Sequence, residues 1–385
     1  MIYFDNSATT KPKNEVLDTF IKVSERFFAN PSSVHSLGLE AEKLLEQSRN
    51  QIASLLKVNT GEIIFTSGGT ESNNFVIKGV ASTYRHRGNH IITTEIEHPS
   101  VANACEDLKR HGFEVTYLPV DRSGQINLDD LKRAIRDETI LVSVIHVNNE
   151  LGVVQPVEEI GKLLKPYSKI FFHVDHVQGV TKVPLDFHEA NVDFASVSSH
   201  KFHGVKGTGA VFVRKGLRLE PLLSGGGQEQ NMRSGTENVP GIAAMAKALR
   251  LGMEAYKKNI SNLKAVRDFL IKELRTIDGV FVNTPDEQIA PHIVNFSVPG
   301  YKAEVLVHEM EERGLYASTT SACSSKRDEP SKTVLAMGLG NERATSSIRL
   351  SLSFENTMEE AKEAVKIIKA SIENLKPVMR GSYDV

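Results

Sequence analysis

Apolar positions recur along this chain in two rhythms. Short β-rich runs stand at Ile63-Ile64-Phe65-Thr66, His90-Ile91-Ile92-Thr93, 114–120, 140–147 and 170–174. Between them, helical spacing runs over 71–84, through Val101 and Leu108, and over 128–135 and 157–167. Strands alternating with helices in this way predict βαβ units and a mostly parallel sheet. The run Ile140, Leu141, Val142, Val144, Ile145, Val147 is nearly continuous, the pattern of a strand covered on both faces. From Asp193 the rhythm changes. Residues 193–199 and 210–214 read as strands joined by a Gly-rich loop, which predicts an antiparallel edge. A helical stretch over 241–277, with a break near Lys258, leads to strands at 280–283 and 293–297, a helix at 303–313 and a strand at 348–353. The last helix carries Ala361, Val365, Ile368, Ile372 and Leu375 on one face. This pattern places a smaller α+β domain over 259–385 after a large domain over 15–258, and segment 1–14 is expected to pack on the smaller.

Composition narrows the class. The 385 residues are 40% hydrophobic, and 46 basic against 48 acidic side chains leave a formal charge of −2. A chain of this length can bury a large core. Its balanced charge offers no basic field for direct nucleic-acid binding. No run approaches the roughly 20 apolar residues that cross a bilayer, so no membrane partner is expected. The opening MIYFDNSATT has neither the basic nor the apolar region of a secretory leader. Two cysteines, Cys105 and Cys323, are too few for a disulfide framework or a four-thiolate metal site. A reducing, cytoplasmic setting is expected, in which each thiol is core filler or a reagent.

Candidate chemistry lies in particular strings. Ser196-Val197-Ser198-Ser199-His200-Lys201 ends an apolar strand in a polar tetrad and a lysine, ahead of Gly204, Gly207 and Gly209. A lysine there suits a Schiff base; a solvated loop lysine is the plainer alternative. Phe171-Phe172-His173-Val174-Asp175 ends in a carboxylate able to pair with a protonated pyridine nitrogen. A turn cap is one alternative, and a metal held by His173, Asp175 and His176 is another. The metal is disfavoured because His176 falls on the opposite strand face from the other two. Thr66-Ser67-Gly68-Gly69-Thr70 joins a strand to a helix, where small residues let backbone N–H groups reach an anion. Ordinary N-capping explains the same string. Cys323 stands in Ser321-Ala322-Cys323-Ser324-Ser325-Lys326-Arg327, too polar for core and near cations that favour a thiolate. An incidental exposed cysteine is the alternative. Cys105, near Val101 and Leu108, reads as inert packing.

In their order along the chain, SGGTESNN, HVD, SSHKFHG, RSGTEN and SACSS resemble the PLP-dependent cysteine desulfurases of the NifS/IscS type, in the class V aminotransferase family. The resemblance extends from Tyr3-Phe4-Asp5-Asn6-Ser7 to Ser347-Ile348-Arg349-Leu350-Ser351. It implies the α/β architecture of PLP fold type I, a large domain with a mostly parallel seven-stranded sheet plus a smaller α+β domain. It implies pyridoxal 5′-phosphate on Lys201, Asp175 at the pyridinium nitrogen and Gln178 at the phenolic oxygen. His98 would stack on the ring and serve as acid or base. Gly69, Thr70, Ser198, His200 and, less directly, Ser199 would hold the phosphate, with Thr236 reaching it from the neighbouring subunit of a homodimer. Asn149 would lie beside cofactor and substrate, and Arg349 would clamp the substrate carboxylate. Cys323 would take the sulfur of L-cysteine as a persulfide, leaving L-alanine. The sulfur would pass to an acceptor protein, an iron–sulfur scaffold or a tRNA- or cofactor-thiolation enzyme. No metal is implied, save Cys323 as a candidate iron–sulfur ligand. Gly69, His176 and Val205 depart from the alanine, small residue and proline usual in relatives. Another class V activity, such as an aminotransferase or selenocysteine lyase, and a non-catalytic docking protein are the competing expectations.

Overall fold

The computed structural model describes residues 1–319 and 330–380. The chain opens with β1 (Ile2–Tyr3), α1 (Asn14–Arg26) and α2 (Ser36–Leu56). The alternating stretch then lays down β2 (Ile63–Thr66), α3 (Gly69–Tyr84), β3 (His90–Thr94), α4 (Pro99–Arg110), β4 (Glu114–Leu118) and α5 (Leu128–Ala134). It continues with β5 (Thr139–Ile145), α6 (Val157–Leu164), β6 (Phe171–Asp175), β7 (Phe194–Ser198) and β8 (Gly209–Val213). These strands form one seven-stranded sheet in the order β2-β8-β7-β6-β5-β3-β4. From β7 to β4 neighbours run parallel, whereas β8 opposes both β7 and β2. The antiparallel strand expected at an edge therefore lies one place in, because β2 covers it. Every residue of β5, β6, β7 and β8 is buried, as their apolar runs require. One face packs Val142, Val144, Phe172 and Val174; the other packs Leu141 and Phe171 against Phe75 and Val76 of α3 and Val101 and Leu108 of α4.

After a short turn α7 (Gln228–Asn231), helix α8 (Val239–Leu274) runs for 36 residues, about 54 Å. The break expected near Lys258 does not occur. Neither proline nor glycine interrupts 253–274. The buried residues of α8 fall in two groups, Val239 to Gly252 and Leu263 to Leu274, with none fully buried between them. The first group joins the core of the large sheet and the second joins that of the smaller sheet, so the boundary expected at 258/259 falls inside one shared helix.

The rest of the chain forms β9 (Phe281–Val282), β10 (Ile293–Ser297), α9 (Ala303–Glu312), β11 (Leu315–Tyr316) and β12 (Ser318–Thr319). Then follow α10 (Lys332–Ala336), α11 (Asn341–Thr345), β13 (Ser347–Ser351) and α12 (Met358–Arg380). Strands β12-β13-β10-β9 make a small antiparallel sheet. Its core of Val294, Phe296, Ile348 and Leu350 receives the expected stripe of α12, with Leu375 at the margin. Ile2 and Phe4 also enter this core, β1 pairs with β11, and Asp5 bridges to Ser351. The segment then crosses to the large sheet, where the N–H groups of Thr10 and Lys13 donate to the carbonyls of His200 and His203. Helices α1 and α2, which the sequence pattern left unassigned, pack on α8. In α1 only Val16 and Val23 are buried, seven residues apart, too sparse a stripe to read from periodicity alone. Among the described residues, no helix is long and apolar enough to cross a membrane.

Candidate active site

The parallel strands all end at the same edge of the large sheet, and a cavity of about 730 Å³ lies beyond it. This is where an open α/β sheet offers a crevice for ligands. At the end of β7 the chain enters a tight turn, Ser199–Lys201, that presents Lys201 to the cavity. Its Nζ donates to the carbonyls of Ser7 (2.5 Å) and Ala8 (2.9 Å). Behind it, Lys182 donates to the Lys201 carbonyl at 2.8 Å. Burial and the Lys201 charge bring the Lys182 amine down to about 7.

Strand β6 delivers Asp175, whose carboxylate accepts from Asn73 Nδ2 at 2.7 Å and from the Val177 N–H at 3.1 Å. Gln178, one residue further on, donates to the Ser7 carbonyl and lines the same cavity. Beyond β3, His98 opens α4. Burial, reinforced by Lys201 and Arg349 and opposed by Asp175, lowers its basicity. Between β2 and α3, Gly68 has φ +148°, and a Cβ on Gly69 would lie 2.9 Å from Val177 Cγ2. Glycine at 69 thus makes room for Val177. The N-cap residue of α3 makes no side-chain cap, Thr70 lines the cavity, and the nearby Ser198 hydroxyl is buried without a partner among the described residues. His200 bonds through Nδ1 to Thr9 Oγ1 at 3.1 Å, and its ring is pushed to about 4 by burial and by Lys201 and Lys206.

The opposite wall comes from the small sheet. Arg349 of β13 donates to the Asn149 carbonyl (2.9 Å) and to Asp5 Oδ1 (3.0 Å), while its buried Nε has no partner among the described residues. Asn148 Oδ1 accepts from the N–H groups of Glu150 and Leu151, a turn that carries Asn149 to the cavity.

Two expected residues lie elsewhere. Ser199 is fully buried behind the turn, its Oγ 1.9 Å from where a Cβ on Gly204 would be, so the turn aims it away from the phosphate position expected for it. Thr236 is exposed and does not line this cavity. Cys323 lies outside the described residues, as do Lys326 and Arg327. The metal alternative finds no support. His173 is held between the hydroxyls of Ser143 (2.8 Å) and Ser196 (3.0 Å). His176 stacks on His146, their Nδ1 atoms 2.8 Å apart. Among the described residues no group of three or more His, Cys, Asp or Glu could hold a metal ion. Asp5, Asn73 and Ser100 were not anticipated. Asn73 follows Thr70 by three residues on α3, a spacing that puts both on one helix face.

This set of groups fits pyridoxal 5′-phosphate. An amine and a buried carboxylate meet in one cavity beside an imidazole. At one end an uncapped helix N-terminus and an unpartnered buried hydroxyl suit a phosphate dianion.

Comparison with known proteins gives the same picture. The family described as aminotransferase class-V matches residues 2–363. A "NifS/IcsS protein homolog" of Lactobacillus delbrueckii subsp. bulgaricus is 48% identical over 95% of each chain. The "Cysteine desulfurase IscS" of Dictyoglomus turgidum is 42% identical over 98% of this chain and 96% of its own. Among solved structures, a "NIFS-LIKE PROTEIN" superposes with a TM-score of 0.91 at 38% identity, covering 97% of this chain and all of its own.

Proposed function

Because this chain belongs to the aminotransferase class-V family, and within it to the PLP-dependent cysteine desulfurases of the NifS/IscS type, we propose roles for its own residues in converting L-cysteine to L-alanine. Lys201 Nζ binds the cofactor covalently and afterwards moves the substrate Cα proton. Asp175 would hold the pyridine nitrogen protonated, and Gln178 would hydrogen-bond the phenolic oxygen. Gly69, Thr70, Ser198 and His200 hold the phosphate, joined by Thr236 from a second subunit. The cofactor, when bound, supplies an electron-poor ring that stabilises negative charge at the substrate Cα. Arg349 orients the substrate carboxylate, already steered by Asp5 and by the Asn149 carbonyl. The Cys323 thiolate attacks the substrate sulfur; an S–S bond forms, the C–S bond breaks, and its electron pair stays with the carbon skeleton. Protonation of that skeleton yields alanine, and Cys323 is left as a persulfide.

The observation that supports these roles is the convergence of Lys201, Asp175 and Arg349 on one cavity. We place the enzyme in a reducing cytoplasm as a homodimer. Its acceptor is an iron–sulfur scaffold or a tRNA- or cofactor-thiolation enzyme. Borohydride reduction of the PLP-loaded protein followed by peptide mapping is expected to label Lys201. Cys323→Ser is expected to abolish sulfur transfer to an acceptor. A label elsewhere, or full transfer by the variant, overturns the assignment.

A further inference from the structure

Asn73 and Ser100 have no part in the roles above, yet they form a continuous chain of hydrogen bonds between Asp175 and His98. Asn73 Nδ2 lies 2.7 Å from Asp175 Oδ2 and 2.8 Å from Ser100 Oγ. Ser100 Oγ lies 2.7 Å from His98 Nδ1, and the Ser100 backbone N–H donates to the same nitrogen at 3.2 Å. Asn73 and Ser100 are both buried. The direction of each bond follows from what each atom can do. A carboxylate only accepts, so the Asn73 amide must turn its NH2 towards Asp175. The second hydrogen of that NH2 points at Ser100 Oγ, which leaves the single serine hydrogen for His98 Nδ1. A backbone N–H only donates. Pro99, the first residue of α4, has no N–H, so Ser100 supplies the first free amide of the helix, and it too is aimed at Nδ1. His98 Nδ1 therefore faces two donors and must carry the lone pair.

We infer that Asn73 and Ser100 are positioning residues that hold His98 as the Nε2–H tautomer, so that the imidazole offers the cavity a hydrogen-bond donor and no basic lone pair. Placing a second proton on Nδ1 would set it against an N–H that cannot turn away. Of the charged groups facing the ring, Asp175 from β6 favours a cation, while Lys201 after β7 and Arg349 from β13 oppose it. A neutral imidazole in this state stabilises developing negative charge through Nε2–H but does not abstract the Cα proton. That task falls to Lys201. The inference rests on the proposed function for its chemical consequence; the tautomer itself does not.

The test is 15N-histidine NMR of the PLP-loaded, full-length enzyme, comparing wild type, Ser100→Ala, Ser100→Thr and Asn73→Ala, with melting temperatures recorded for each. Wild-type His98 is expected to show an unprotonated Nδ1 and a protonated Nε2 throughout neutral pH. In S100A the loss of the hydroxyl donor should raise the ring's pKa towards its ordinary value, while the retained backbone N–H keeps the Nε2–H tautomer. The S100A kcat should fall about fivefold, as expected for one hydrogen bond, with KM for L-cysteine nearly unchanged. S100T should restore the wild-type pKa and kcat, and N73A should raise the ring's pKa as S100A does. Protonation at Nδ1 in wild type, or an unaltered His98 pKa in S100A, overturns the inference. Failure of the functional proposal would show separately, as a borohydride label absent from Lys201.

Discussion

Glu97 precedes His98; the residue is half-buried, with its carboxylate oxygen Oε2 turned inward and buried. Its Oε1 accepts from Thr94 Oγ1 and the Ile145 N–H, while Oε2 has no partner among the described residues. Burial, opposed by those two bonds and assisted by Asp175, raises its pKa from 4.5 to about 8. Below 4.5 the folded and unfolded chains both hold the proton. Between 4.5 and about 8 only the folded chain does, so stability drains by about 1.4 kcal/mol per pH unit, and above that range the loss is constant. Glu97→Gln removes this dependence. Urea denaturation across the same pH range is expected to show the variant gaining on wild type as pH rises and levelling off near 8. A difference independent of pH would mean that Glu97 is ionised in the fold. At this scale the sequence carried much of the site, because Lys201, Asp175 and Thr70 stand where a strand meets a loop or helix. The Arg349–Asp5 ion pair was not legible, since its partners are 344 residues apart. Nor was the room that Gly69 leaves for Val177, since the two follow different strands.

Among the elements, α8 shows most clearly how local pattern and packing differ. Its apolar residues read as helix, but the polar stretch around Lys258 also read as a break. In the fold, that stretch spans the gap between two cores and needs no apolar face. Lys258→Pro removes no buried contact, yet it deletes an intrahelical hydrogen bond and clashes with the preceding turn, at a cost of about 3 kcal/mol. Circular dichroism during urea unfolding should show that loss, together with separation into two transitions as the cores uncouple. Lys258→Ala should stay within about 0.5 kcal/mol of wild type. A proline variant as stable as wild type would show that the helix does not join the cores. The position of β8 follows similar logic. Its antiparallel direction was legible from the short loop after β7, whereas its place inside the sheet depended on β2, more than a hundred residues earlier.

For the whole molecule, the exposed Thr236 and the exposed apolar residues Phe28, Val34, Leu37, Leu39, Leu222 and Leu223 bear on the proposed dimer. Sedimentation is expected to give twice the chain mass of 42.5 kDa. A sharper check mixes two inactive variants, Lys201→Ala and Thr236→Glu, under conditions that exchange subunits. If Thr236 serves the neighbouring cavity, each mixed dimer has one site with both residues intact, and desulfurase activity returns. If it serves its own cavity, none returns. The sequence by itself determined the alternation of strands and helices, the βαβ character and the strand-end strings that line the cavity, because periodicity and strand-end chemistry are local. Only the tertiary structure decided that one helix serves two cores, that the N-terminal segment brings the Ser7 and Ala8 carbonyls to Lys201, and that Asn73 and Ser100 tie Asp175 to His98. Those contacts join residues far apart along the chain, and a hydrogen bond depends on ångström-scale approach that no spacing in sequence encodes.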